Sequence, residues 1–145
     1  MAYQLSTGLR DKLMSTGSLS SIMNLGFIYI YSGAVPANAD AALTGTQLCK
    51  VSNNSTATGL TMDPSVGGVL PKKASEVWSG LNGATGTASY FRWVGSADTG
   101  ALSTTEPRIQ GLVGTVGTDM NLSSVSLTSG ATQTIDTFNW TLPTY

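Results

Sequence analysis

Leu5, Leu9 and Leu13 recur every four residues at the start of the chain, the spacing that holds side chains on one face of a helix. Ser6 or Thr7 stands where an N-cap is needed and Gly17 where a helix can stop, so a short amphipathic helix is predicted. Ser18 is placed to start a second turn that buries Leu19, Ile22 and Met23 before Gly26. From Phe27 the punctuation changes to Gly, Pro, Asn and Ser clusters about every eight to twelve residues, which is that of a β-protein. Strands are predicted over 27–31, 46–51, 89–94, 108–116, 120–127 and 133–142. In the last of these, Phe138, Trp140 and Leu142 alternate with Thr137, Asn139 and Thr141, the period of a strand with one buried face. The same alternation sets Tyr90 and Arg92 opposite Phe91 and Trp93. Core packing is the default role for each of these rings, because large side chains bury the most apolar area per residue.

Between the first two strands, Ser32-Gly33 ends the apolar run, Pro36 blocks a central strand, and the Ala-rich stretch from Pro36 to Leu43 can form a helical turn or two. Residues 52–75, with Pro64, Gly67-Gly68 and Pro71, read as a long loop holding at most one short strand around Gly59 to Met62. Gly83-Ala-Thr and Gly130-Ala-Thr look like equivalent entries into aromatic strands. Short, evenly spaced strands with few helices indicate a β-sandwich or small barrel. The expected fold is therefore mainly all-β: a jelly-roll-like β-sandwich over 27–145, preceded by an N-terminal helical segment over 1–26, in a single domain of 145 residues.

Composition narrows the function. Only 10% of residues are charged, against about 25% in ordinary soluble domains, and the formal net charge is −1. So little charge gives a weakly solubilised surface for a free monomer; polarity must come from the 18 serines and 20 threonines, or surface must be hidden in an assembly. Seven Lys and Arg residues are too few for a phosphate-binding face, so no nucleic-acid partner is expected. The one adjacent basic pair, Lys72-Lys73 beside Pro71, reads as two solvated loop residues, with a charged interface contact as the alternative. The apolar stretch from Leu25 to Tyr31 is far shorter than the ~20 residues a membrane span needs, and Met1-Ala-Tyr-Gln-Leu lacks a basic start, so a cytosolic origin and no membrane partner are expected. Cys49, the single cysteine, is expected to be a buried small hydrophobe.

The absence of histidine removes Ser-His-Asp and Cys-His mechanisms along with the commonest metal ligand. Among the eight acids, Glu76 beside Trp78 is the most enzyme-like, as a carboxyl next to a ring on which a sugar could stack; a turn acid beside a half-buried Trp is the plainer reading. Asp40 and Asp63 sit where Asx-turns and helix caps are expected, and Asp98-Thr-Gly100 is a turn signature with weak calcium character. Neither an enzyme nor a cofactor is expected.

The stretch from Ile28 to Leu48, together with Leu5-Ser-Thr-Gly-Leu-Arg10, Lys73-Ala-Ser-Glu-Val-Trp-Ser-Gly80, Ala84-Thr-Gly-Thr-Ala-Ser-Tyr-Phe-Arg92 and Thr134-Ile-Asp-Thr-Phe138, resembles small virion structural proteins of tailed bacteriophages and prophages. The resemblance is loose over the whole length and is nearest to head decoration (cement) proteins. It implies Greek-key strand order, synthesis in the host bacterial cytoplasm, a place on the outer head surface, and two partners: the major capsid protein and further copies of the chain in a homodimer or homotrimer. No catalytic residue comes with it. The assembly interface is expected to use the N-terminal Leu stripe (Leu5, Leu9, Leu13), Asn53 and Asn54 in the long loop, and Lys72 and Lys73. A tail, collar or fibre-base component is the alternative. A glycan-binding receptor module using Trp78, Tyr90 or Trp93 comes next, and a glycan hydrolase using Glu76 or Glu106 is more distant.

Overall fold

A computed structural model describes residues 3–142. In chain order the elements are β1 (Gln4–Leu5), α1 (Thr7–Ser15), α2 (Leu19–Ile22), β2 (Phe27–Tyr31), β3 (Gln47–Asn53), β4 (Val69–Pro71), β5 (Trp78–Leu81), β6 (Gly86–Thr87), β7 (Tyr90–Val94), β8 (Arg108–Gly114), β9 (Met120–Asn121), β10 (Ser126–Leu127), β11 (Thr132–Ile135) and β12 (Asn139–Thr141). The protein is all-β apart from the short helical segment near its start.

Ser6 decides how the chain begins. Its backbone is extended (φ −64°, ψ 159°) and its Oγ accepts from the Leu9 N–H at 3.1 Å, so the helix starts at Thr7. Leu5 therefore lies outside the helix that its spacing predicted. It forms β1 instead, with Gln4 opposite Gln110 and Leu5 opposite Ile109. The same Oγ accepts from the Arg108 N–H at 2.9 Å and donates to the Glu106 carbonyl at 2.7 Å, locking helix and sheet together.

The main sheet runs in the order β1-β8-β7-β2-β3-β5-β11, antiparallel along this path, with β9 adding to β8 in parallel. β3 belongs to two parts of it: Cys49, Lys50 and Val51 pair with β2, while Ser52 and Asn53 pair with Ser79 and Trp78 in β5. At this corner a Cβ on Gly80 would lie 2.1 Å from the Lys50 carbonyl oxygen, so only glycine lets the strands approach. The turn in the sheet brings Trp78 and Ile135 over the face that carries Ile28, Ile30, Phe91, Trp93 and Ile109, and these residues belong to one core with Leu9 and Met23. Phe138 fills the middle, its ring 5.7 Å from Trp93 and 5.9 Å from Phe91, both edge-on, and 5.8 Å from Trp78.

The opposite face of β2, β7 and β8 is buried too, a departure from the single buried face expected. It carries Tyr29, Tyr31, Tyr90, Arg92, Arg108 and Gln110, and segments 34–46 and 98–106 lie over it. Arg108 holds Asp98 through Nε (2.5 Å) and Nη2 (2.7 Å), and donates to the carbonyls of Ala101 (2.7 Å), Ala39 and Asp40 (3.3 Å each). Gln110 donates to the Pro36 carbonyl at 2.9 Å, Arg92 to Asn38 O at 3.1 Å, and Tyr90 to Thr44 O. This is why residues 36–43 do not form the expected helical turns: carbonyls that a helix would use internally accept from the sheet instead, leaving one turn in which Asn38 Oδ1 accepts from the Ala41 N–H (2.8 Å). Asp40 does act as a cap, at a distance, accepting from the Thr7 N–H (2.8 Å) and hydroxyl (2.7 Å) at the start of α1.

Two long predicted strands are interrupted. Over 120–127, β9 pairs with β8 and β10 with β6. Over 133–142, the chain leaves β5 after Ile135, turns Phe138 into the core, and resumes as β12 against β4. The 52–75 loop is more ordered than expected: Leu60 bridges to Gly26, Met62 to Lys72, and β4 lies within it. The two Gly-Ala-Thr stretches meet through Asn82, which donates to Ala131 O and accepts from the Gly130 N–H, each at 2.9 Å. Cys49 is 1% exposed, and burial pushes its thiol up to about 11, so it is the inert hydrophobe expected.

Candidate assembly surface

Where α1 and α2 approach the β4–β12 pair, the chain leaves an open apolar groove of about 450 Å³. Leu5, Leu13, Leu19, Leu70, Trp140 and Leu142 form its apolar lining; Ser18, Ser20, Ser65, Gly17 and Gly68 complete it, and among the described residues no charged side chain takes part. Local structure explains each contribution. The cap at Ser6 orients α1 so that Leu9 is fully buried and Leu13 only half-buried. Having left the main sheet, β12 keeps Trp140 half-buried, its ring centroid 4.3 Å from that of Tyr3, and leaves Leu142 66% exposed. The Leu142 N–H donates to Gly68 O (3.0 Å) and the Phe138 carbonyl accepts from the Lys72 N–H (2.8 Å). The backbone groups of Trp140 therefore face β4, and those of Asn139 and Thr141 face away from it, along an edge that no other described strand pairs with.

Of the expected interface residues, Leu5 and Leu13 meet in this groove. Leu9 does not: it is 0% exposed and belongs to the core. Asn53 and Asn54 form a tight turn, with Asn54 and Ser55 at φ 54° and 56° and the Thr56 N–H donating to Asn53 O at 3.1 Å, a conformation that asparagine tolerates well. Lys72 is not a solvated loop residue. Its Nζ donates to the Glu76 carbonyl at 2.6 Å and lies 5.7 Å from the centre of the Trp78 ring, so its charge is used within the fold. Lys73 is half-buried, with its N–H donating to Thr61 O at 3.3 Å. Strand alternation assigns Trp140 and Leu142 to a core face, so the sequence does not mark them as groove residues; nothing local shows that β12 leaves the main sheet.

The enzyme-like and sugar-binding candidates have other roles in the fold. Glu76 accepts from the Thr61 N–H (3.0 Å), the Thr61 hydroxyl (2.5 Å) and the Trp78 indole N–H (2.8 Å). Burial pushes its carboxyl pKa up, but these donors and nearby Lys73 outweigh that and hold it below the ordinary 4.5, the wrong direction for a general acid. A carboxylate with a depressed folded pKa stabilises the fold above its unfolded value and ceases to do so as pH falls through the folded one. Glu76→Gln is therefore expected to lower Tm at neutral pH, with the gap from wild type narrowing below pH 4.5, in thermal unfolding followed across a pH series. Trp78, Tyr90 and Trp93 are at most 1% exposed, so none offers a face to a sugar. Among the described residues no three His, Cys, Asp or Glu side chains gather in an arrangement that could hold a metal ion.

No protein-family model, no curated protein and no solved structure matches the chain.

Proposed function

We propose that this chain is a virion structural protein of a tailed bacteriophage, a head decoration (cement) protein that binds the outer head surface and bridges major capsid subunits. The uncharged apolar groove between α1, α2 and β12 carries the reading, because a surface of this kind is usually an interaction site. The sparse charge supports it: Arg92, Arg108 and the Asp98 carboxylate are spent inside the fold, leaving an outer surface rich in hydroxyls. Docking such a surface avoids desolvating unpaired charges. Each copy contributes a modest contact, and a capsid lattice presents many sites at fixed geometry, so weak contacts sum. A homodimer or homotrimer matches the local axes of such a lattice.

The test is stoichiometry. Quantified virion gels should show hundreds of copies per particle, and heads lacking the protein should rupture at lower temperature; a handful of copies per virion overturns the proposal. Leu142→Asp, at an exposed groove residue, should leave the protein folded and weaken its binding to stripped heads by roughly 10-fold or more, the effect of losing one buried leucine. The second reading, a tail, collar or fibre-base component, would use the same groove, and immunogold labelling of intact virions separates the two.

A further inference from the structure

A strand at the end of a sheet carries outward backbone groups that lack a ladder partner, and this chain treats its edges differently. On β11 the outward Thr134 carbonyl accepts from the Gln133 side-chain amide at 2.8 Å. On β10 the Ser124 hydroxyl covers both outward groups of Ser126, accepting from its N–H at 3.1 Å and donating to its carbonyl at 3.4 Å. β12 has no such guard. Its Trp140 pairs with Leu70, and Pro71, which stands opposite Asn139, has no N–H to offer, so the N–H and C=O groups of Asn139 and Thr141 point away from β4. Among the described residues nothing bonds to them. Asn139 and Thr141 are both exposed. Residues 139–142 also lack the charge, proline or bulge that commonly keeps an edge strand from pairing with another chain.

We propose that β12 pairs antiparallel with β12 of a second copy of this chain, in a dimer whose two-fold axis passes beside Trp140. The edge is complementary to itself. With Trp140 opposite Trp140 of the partner subunit, Asn139 stands opposite Thr141 of the partner subunit; each donates its N–H to the other's carbonyl, and every outward group on both edges is satisfied. Charge does not oppose the pairing, because a two-fold axis brings the same segment of both copies together and residues 139–142 have no charge with which to repel themselves. Trp140 and Leu142 share one face of β12. Pairing therefore sets the 66%-exposed Leu142 diagonally beside Trp140 of the partner subunit and joins the two grooves across the axis. Pro143, next in the sequence, has no N–H with which to lengthen the ladder. An isologous contact of this kind uses up both edges, so association stops at two. The dimer does not rest on the capsid reading, since it forms in the isolated protein.

The test is sedimentation equilibrium of the full-length protein from micromolar to millimolar concentration, with amide hydrogen exchange read at both ends of the range. Expected are a doubling of mass as concentration rises and, with it, slower exchange of the Asn139 and Thr141 amides, which are open in the monomer. Thr141→Pro removes an outward N–H that the fold does not use, a change an edge strand tolerates, and should leave a folded monomer at every concentration. Should that variant fail to fold, Asn139→Lys combined with Thr141→Lys serves in its place: both positions are exposed in the monomer, and pairing would set like charges directly opposite one another. A protein that stays monomeric throughout overturns the proposal. So does an oligomer larger than two, a dimer in which neither amide slows, or a dimer that survives in the folded variant.

Discussion

Arg108→Ala is expected to destabilise the protein by about 3–5 kcal/mol, the usual result of removing one partner from a buried ion pair. The mutation strands the Asp98 carboxylate, whose side chain is 1% exposed, and takes the donors from three carbonyls at Ala39, Asp40 and Ala101. Domains of this size are stable by roughly 5–15 kcal/mol, so a large part of the total is at stake. Guanidinium unfolding followed by far-UV circular dichroism measures the loss. Hydrogen exchange shows where it falls, with protection lost first in residues 34–46 and 98–106, the segments Arg108 ties to β8. Arg108→Met combined with Asp98→Leu should recover part of the stability, since no charge is then left alone, but the three carbonyls still lack donors. A loss under about 1 kcal/mol for Arg108→Ala would show that the covering segments do not depend on this pair.

Phe138→Ala is expected to cost a similar amount, about 3–5 kcal/mol, by a different mechanism. Its ring is 3% exposed and touches Trp78 on β5 and both Phe91 and Trp93 on β7, so truncation opens a cavity where the two parts of the sheet meet. The signature is a lower unfolding midpoint with an unchanged denaturant dependence and a weaker near-UV dichroism spectrum, because two tryptophans lose the ring that fixes their environment. A near-UV spectrum like that of wild type would argue that Phe138 does not pack between them.

Much of the fold was legible in residue patterns because some instructions are local. Phe27–Tyr31 is a strand as its β-branched and aromatic run requires, and Ser18 caps α2 as expected. Cys49 is buried, and Tyr90 and Arg92 do lie on the face opposite Phe91 and Trp93. The strands β4, β5 and β6 were not legible: they have two to four residues each, too few for alternation to register, and they exist because β12, β11 and β10 pair with them. The candidate surface was half legible. Leu5 and Leu13 stood out by spacing, yet that spacing could not tell Leu9, which faces inward, from its two neighbours in the series.

What the sequence by itself determined was the all-β class, the short N-terminal helix, the lack of any histidine and a charged fraction of only 10%. These depend on residue type and on neighbours within a few positions. Only the tertiary structure decided that the polar face of β2, β7 and β8 is buried, that Arg108 and Asp98 pair beneath it, that Arg92 Nη1 has no acceptor among the described residues, and that β12 turns away from the main sheet to leave a groove. Each depends on contacts between segments distant along the chain. Burial of an arginine is set by what covers it, and the cover here binds through backbone carbonyls, which every residue carries and no sequence pattern reveals.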